Sequence, residues 1–147
     1  EPAPILGTND LFGHGIWRFG TSTSIQLPIK TGFYGATRIP PDWATSSVVV
    51  PQFTATSTTG NVVWAFQYRC VADGESLDQA SFQESASTTV ANPGTIYNLT
   101  SAGIPISSSN CVPNDIMEWY FTRDGTDGAD TGVGTSILHR LTLFYKK

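Results

Sequence analysis

Two stretches of the chain show a strict alternation of apolar and polar positions. In residues 61–71, large apolar side chains stand at every second position from Val62 to Cys70, with small or polar residues between them. Residues 116–123 repeat the pattern, with three large apolar side chains on one face. A period of two residues is typical of a β-strand with one buried face. The pattern therefore predicts two central strands of a β-sandwich.

The stretch 136–145 has apolar residues on both of its faces. In a regular strand, Ile137 and Leu141 share one face, whereas Leu138 and Phe144 lie on the other. A strand that is apolar on both faces is expected to be covered on both sides. We therefore expect Leu138 and Phe144 to lie at a contact between subunits.

Shorter alternations predict further strands, separated by turns. They lie at residues 15–19, 24–29, 33–38, 47–55, 80–90 and 95–101. The connections are rich in Pro, Gly, Asn and Asp, which favour turns. About eight strands in such an order are typical of an antiparallel β-sandwich of the jelly-roll type, and we predict this all-β fold.

Residues 1–12 contain two prolines and show no alternation, which predicts an extended N-terminal arm before a single domain at 13–147. Such an arm is either a disordered terminus or a segment that lies across a neighbouring subunit, and we favour the second interpretation. The apolar residues available for that contact are Ile5, Leu6, Leu11 and Phe12. The sequence starts without a charged and apolar leader, so a signal peptide is either absent or already removed.

Composition narrows the classes of partner. The chain has 147 residues, with 8 Lys and Arg against 12 Asp and Glu, and 33 Ser and Thr make its surface polar without charge. A chain of this length forms one domain. Because there is no basic field and no run of 18 apolar residues, we expect neither nucleic acid nor a membrane as a partner.

The residues that catalysis requires are scarce and scattered. His14 lies between two glycines, and no G-x-S-x-G motif accompanies it, while His139 lies in the last predicted strand among apolar residues. The histidines and cysteines lack the spacing of a zinc site. Glu75, Glu84 and Glu118 form no recognisable catalytic pair. We therefore expect no enzymatic activity and no cofactor.

Three aspartates, Asp124, Asp127 and Asp130, are concentrated in one glycine-rich segment. Their oxygens could bind Ca²⁺, although the spacing differs from that of an EF-hand. The alternative is a loop in which the aspartates cap turns.

The two cysteines, Cys70 and Cys111, form either one disulfide bridge or two buried thiols. A bridge would require an oxidising environment. Trp43 and Tyr97 lie in loop-adjacent segments where exposed rings could stack against a sugar.

The order of several motifs supports a family resemblance. The motifs are the turn Pro40-Pro41-Asp42-Trp43, the segment from Thr59 to Trp64 that opens a strand, the turns around Asp73-Gly74 and Pro113-Asn114-Asp115, the sequence Arg123-Asp124-Gly125-Thr126-Asp127, and the ending Leu143-Phe144-Tyr145. Over residues 38–145, the chain resembles the small jelly-roll structural proteins of tailed-bacteriophage virions. The two cysteines are a departure from that family.

The resemblance implies a non-enzymatic, homotrimeric protein of the virion, an extracellular particle. Its partners would be further copies of itself and the major capsid protein or other virion proteins. It would either decorate and cement the capsid or form part of a tail fibre. The alternative function is a carbohydrate-binding, receptor-binding module that presents Trp43 and Tyr97 to a host surface glycan.

Overall fold

The computed structural model describes residues 6–10, 17–19, 32–44, 46–76, 84–107 and 110–146. These residues form ten β-strands and no helix, so none of the described ranges contains a helix that could cross a membrane. The strands are β1 (Leu6–Asp10), β2 (Trp17–Phe19), β3 (Gly32–Arg38), β4 (Ser46–Ala55), β5 (Asn61–Val71), β6 (Glu84–Ala91), β7 (Thr100–Ser101), β8 (Ile104–Ser107), β9 (Ile116–Arg123) and β10 (Ser136–Lys146).

The strands form two antiparallel sheets. In sheet A, β10 and β4 are central; β1 and β2 pair with successive parts of the outer edge of β10, and β7 and β8 pair with the outer edge of β4. Sheet B has the order β3-β9-β5-β6. If β1 with β2 and β7 with β8 each count as one interrupted strand, the described residues form eight strands in the order of a jelly roll. The predicted fold class is confirmed.

Alternating side chains of both sheets fill the space between them. From β5 and β9 of sheet B, the inward-facing side chains include Trp64, Phe66, Trp119 and Phe121, all buried. Trp64 stacks on Phe121 with ring centroids 5.1 Å apart and meets Phe53 of sheet A edge-on at 5.2 Å. The core is therefore an aromatic layer shared by both sheets, as the alternation in β5 and β9 predicts.

A glycine on β3 makes room for one of these rings. A Cβ atom at Gly35 would collide with the indole of Trp119 on the adjacent strand. The side chain of Trp119 therefore extends over the backbone of β3, and any larger residue at position 35 would displace it.

An irregularity in β10 corrects the prediction for its faces. Leu138 pairs with Phe53 and Arg140 pairs with the adjacent Gln52, so the pairing shifts by one residue at His139. Such a β-bulge reverses the alternation, and Leu138 and Leu141 both point into the core, fully buried. The prediction that Leu138 lies at a contact between subunits is therefore wrong, because its own chain already covers it.

Tyr68 and a disulfide connect the two sheets at one end of the sandwich. The Tyr68 hydroxyl, on sheet B, donates to the backbone carbonyl oxygen of Ser107, on sheet A. Burial, with a further contribution from the Glu84 carboxylate, raises the pKa of Tyr68 to about 12, so the hydroxyl keeps its proton at neutral pH. Two residues further along β5, Cys70 forms a disulfide with Cys111, and their Cα atoms are 5.1 Å apart.

Part of the predicted N-terminal arm belongs to the sandwich. Residues Leu6–Asp10 are extended, as expected, but they pair with Thr142–Lys146 of the same chain as strand β1. This pairing satisfies backbone groups along the outer edge of β10. Ile5, Leu11, Phe12 and the predicted strand at 24–29 lie outside the described residues, so a contact of the arm with a neighbouring subunit stays a prediction.

Candidate functional site

Three loops meet at the end of the sandwich opposite the disulfide, and we call residues 56–60, 92–99 and 124–135 together the loop end. Backbone hydrogen bonds join the loops to one another and to β4. Thr56 N donates to Thr135 O at 3.0 Å, Asn92 N donates to Gly60 O at 3.0 Å, and Tyr97 N donates to Ala55 O at 2.9 Å. The loop end is therefore a continuous surface in which each loop supports its neighbour.

A buried ion pair anchors the longest of these loops. The side chains of Arg123, at the end of β9, and Asp130 are 2% and 1% exposed, and they form two parallel hydrogen bonds of 2.8 and 2.6 Å. The other guanidinium N–H groups donate to the carbonyl oxygens of Gly132 and Gly134 and to the Ser136 hydroxyl. The Asp130 carboxylate also accepts from the backbone N–H of Val63. Every N–H of the guanidinium is thus satisfied inside the protein.

The three aspartates of this loop are used by the protein itself. Asp130 belongs to the ion pair, Asp124 Oδ1 accepts from the backbone N and hydroxyl of Thr126, and Asp127 Oδ1 accepts from Ala129 N at 2.8 Å. In the described part of the chain, no three His, Cys, Asp or Glu side chains are grouped to hold a metal ion. The arrangement matches the turn-capping alternative for Asp124 and Asp127.

Large apolar side chains are exposed on the loop end. Ile96, Tyr97, Leu99 and Val133 are each between 48% and 61% exposed. Tyr97 also has a positive φ of 63°, an uncommon backbone conformation for a bulky residue. A group of exposed apolar side chains on adjoining loops is typical of a surface that contacts another molecule.

The two sequence-predicted glycan contacts have different surroundings. Tyr97 is 61% exposed, in agreement with its predicted accessibility. Trp43 is only 7% exposed, and its indole stacks on Tyr145 with ring centroids 5.6 Å apart. The prediction that Trp43 contacts a glycan is wrong, because the turn at Pro40 and Pro41 folds this ring against the end of β10.

The titratable residues considered for catalysis have structural partners. His139 Nε2 lies 2.9 Å from Thr54 Oγ1, across the bulge. The Glu75 carboxylate accepts from Ala72 N, and Glu84 accepts from the side chain of Asn110. Glu118 pairs with Arg69 at 2.5 Å. These contacts hold turns and neighbouring strands together; His14 lies outside the described residues.

Of the remaining candidates for a subunit interface, Phe144 stays on the molecular surface. It is half-buried on the outer face of sheet A, directly opposite Val48 in the pairing of β10 with β4. Leu6 lies in β1. The apolar pair of Val48 and Phe144 is therefore a second apolar surface, on a face of the sandwich and not at the loop end.

The outer face of sheet B carries a row of side chains that crosses all four strands. Tyr34, Tyr120, Gln67 and Ser85 are successive partners in the strand pairing and point away from the core. Tyr34 is 74% exposed, and its ring centroid is 4.5 Å from that of Tyr120, at an interplanar angle of 35°. We call these four residues the tyrosine row.

Small residues border the tyrosine row on one side. Gly32, Thr122, Ala65 and Ser87 form the next row there, whereas Ala36 and the ion pair of Glu118 and Arg69 lie on the other side. A Cβ atom at Gly32 would collide with the ring of Tyr120, so this ring leans along the sheet over β3. The result is an aromatic surface with small residues along one border.

Sequence reasoning found only part of this surface. Alternation in β9 places Tyr120 on the outer face with Glu118, and Tyr34 lies in a predicted strand. The pairing of β3 with β9, which brings the two rings together, leaves no signal in the sequence, because their positions are 86 residues apart.

Comparison with known proteins places the chain by its fold. No protein-family model and no curated protein matches the sequence. A chain in the structure of infectious bursal disease virus, Gt strain, is 13% identical with a TM-score of 0.50, and the match covers 99% of this chain and 32% of that one. The arabinose-bound α-L-arabinofuranosidase MgGH51 is 15% identical with a TM-score of 0.51, and the match covers 98% of this chain and 21% of that one.

A family 35 carbohydrate-binding module from Clostridium thermocellum is 10% identical with a TM-score of 0.49, over 95% of this chain and 97% of that one. In the first two matches, the present chain spans only about a third of the length of the virus chain and about a fifth of the length of the arabinofuranosidase. At these identities the first two likenesses show the fold alone, a β-sandwich of the kind that occurs as one domain within longer proteins.

Proposed function

We propose that this chain is a non-enzymatic structural module of a tailed-phage particle, and that it acts as a homotrimer which decorates and cements the capsid or forms part of a fibre. The observation that carries the proposal is the group of exposed apolar side chains on the loop end. Single exposed apolar residues are ordinary, but Ile96, Tyr97, Leu99 and Val133 project from adjoining loops. Such a group is suited to contact with another protein chain.

Two further features support this role. The resemblance in the order of motifs is to structural proteins of tailed-phage virions, and the jelly-roll strand order agrees with it. The Cys70–Cys111 disulfide is suited to an oxidising surrounding such as that of an extracellular particle. The buried pair of Arg123 and Asp130 gives the loop end the fixed shape that repeated contact between subunits requires.

The mass of the purified chain in solution tests the oligomer. We expect light scattering at micromolar concentration to give three times the 15.8 kDa of one chain. A mass of twice that of one chain would indicate a two-fold dimer and would contradict the homotrimer. A monomer would overturn the proposal.

We propose glycan binding as a second candidate function, because the tyrosine row is an exposed aromatic surface outside the loop end. Aromatic rings with neighbouring polar groups suit the apolar faces and hydroxyls of sugars. Binding of the labelled protein to an array of neutral and acidic glycans tests this function. An array without signal would count against it and would leave the structural role unaffected.

A further inference from the structure

The tyrosine row combines the two kinds of contact that a sugar ring offers. One face of a pyranose carries C–H groups that pack on an aromatic ring, and its hydroxyls project sideways as donors and acceptors. Tyr34 and Tyr120 supply the rings, and beside them the exposed Gln67 amide and Ser85 hydroxyl supply both donors and acceptors. A ligand lying across the strands can therefore stack at one end and form hydrogen bonds at the other.

The dimensions of the row favour a chain of sugars. Adjacent strands lie roughly 4.8 Å apart, so four partners in a row span roughly 14 Å. Along β3, the small residues Gly32 and Ala36 flank Tyr34 on both sides. Along β5, Ala65 flanks Gln67 on one side and Arg69 flanks it on the other. The side of the row that carries Gly32 and Ala65 thus leaves room for an extended ligand of several rings.

The charge nearest the row is compensated, which favours a neutral ligand. Arg69 lies two residues from Gln67 along β5, and its Nε donates to Glu118 at 2.5 Å. Arg38 lies four residues from Tyr34 along β3, and its Nη2 donates to the neutral amide oxygen Oδ1 of Asn114 at 2.8 Å. The row itself contains no Asp, Glu, Lys, Arg or His. An acidic glycan would therefore find no uncompensated cation directly beside the row.

We infer that the tyrosine row of sheet B is a binding site for a neutral oligosaccharide, with Tyr34 and Tyr120 stacking on the sugar rings and Gln67 and Ser85 bonding to hydroxyls. This inference rests on the second candidate function, glycan binding. It places the site on a sheet face and not at Tyr97 on the loop end.

Titration calorimetry of the full chain tests the assignment, with cellohexaose, maltohexaose and xylohexaose as neutral probes and hexagalacturonate as the acidic probe. We expect at least one neutral hexasaccharide to bind. The affinity should fall about tenfold in Tyr34→Ala and measurably in Gln67→Ala. Tyr34 is 74% exposed, so its removal leaves the core intact, and circular dichroism of each variant checks the fold.

Matched controls come from outward-facing positions elsewhere in the chain. Tyr97→Ala removes the same type of side chain from the loop end, and Gln52→Ala removes an amide from the outer face of sheet A. Both should bind like the unaltered protein. Amide chemical shifts that move on β3, β5 and β9 when sugar is added would locate the ligand directly.

The remaining outcomes separate the inference from the function on which it rests. Binding that is lost in Tyr97→Ala and retained in Tyr34→Ala would keep glycan binding but overturn the site on sheet B. Binding of hexagalacturonate alone would keep glycan binding and overturn the neutral ligand. If none of the four probes binds and the glycan array is also blank, both the site and the second function fail.

Discussion

At the scale of single residues, the feature with a large cost in free energy is a buried charge. The Arg123 guanidinium is buried and makes its hydrogen bonds to the loop that follows β9 and to Ser136 at the start of β10. Taking such a group out of water costs several kcal/mol unless a counter-charge and acceptors surround it. Asp130 provides the counter-charge, and the carbonyl groups of Gly132 and Gly134 provide the acceptors. The loop is thus folded around the arginine.

We predict that Asp130→Ala lowers the free energy of unfolding by roughly 3–5 kcal/mol, because it leaves Arg123 buried without its counter-charge. The backbone N–H of Val63 also loses its acceptor. Urea unfolding followed by tryptophan fluorescence measures the change. Asp127→Ala, in the same loop, is the matched control. It removes one exposed turn hydrogen bond and should cost no more than about 1 kcal/mol. Equal losses in the two variants would contradict the interpretation.

At the scale of elements, the disulfide holds the last inward residue of β5 to the loop between β8 and β9. Both cysteines are buried, and they are separated by 41 positions in sequence. A cross-link over this distance reduces the conformational entropy of the unfolded chain. The end of the sandwich opposite the loop end is therefore fixed by covalent chemistry, and the loop end by an ion pair.

Reduction of this bridge should lower the free energy of unfolding by about 4 kcal/mol. The measurement compares urea unfolding of the oxidised protein and of the protein kept in a reductant. Thiol titration in denaturant provides the control. Without reductant, we expect neither of the two cysteines to react. Two reactive thiols in the oxidised sample would contradict the bridge.

The elements also show how far the sequence determines the structure. Residues 61–71 and 116–123 are strands with the predicted bounds, since in each strand every second side chain is buried in the core over most of its length. The predicted strand at 95–101 is wrong apart from Thr100–Ser101, because residues 95–99 form a turn around the positive φ of Tyr97. The short strand β8 was missed, since Ile104–Ser107 follows a glycine and contains a proline that weaken the β signal.

Sites were harder to predict than strands, for a physical reason. Local patterns report which face of a strand is buried, but not which strand lies beside it. The bulge at His139 reversed the faces of β10 and moved Leu138 into the core, and the packing of Trp43 on Tyr145 joins positions far apart in the chain. Exposure of Tyr97 could be anticipated from its position next to a turn. The tyrosine row could not, because it depends on the order β3-β9-β5-β6.

At the scale of the whole molecule, the jelly roll presents three separate surfaces. The loop end carries exposed apolar residues, the outer face of sheet A carries the pair of Val48 and Phe144, and the outer face of sheet B carries the tyrosine row. If glycan binding uses sheet B, assembly can use the other two surfaces without interference. The exposed fractions of the side chains favour the loop end over the outer face of sheet A as the surface for assembly. Phe144 is half-buried within its own chain, whereas Leu99 and Val133 are 59% and 50% exposed and have more apolar area to bury on association.

We therefore predict that, for the proposed homotrimer, the double variant Leu99→Ser with Val133→Ser raises the dissociation constant at least about tenfold, which corresponds to a loss of about 1.4 kcal/mol of association free energy. Light scattering over a dilution series measures this constant. Ile116→Ser is the matched control, because it removes an apolar side chain that is 40% exposed on sheet B, away from the loop end, and it should leave the oligomer unchanged. If Phe144→Ser dissociates the oligomer and the loop-end variant does not, the contact between subunits lies on sheet A. The exposed apolar group at the loop end would then be available for a different protein.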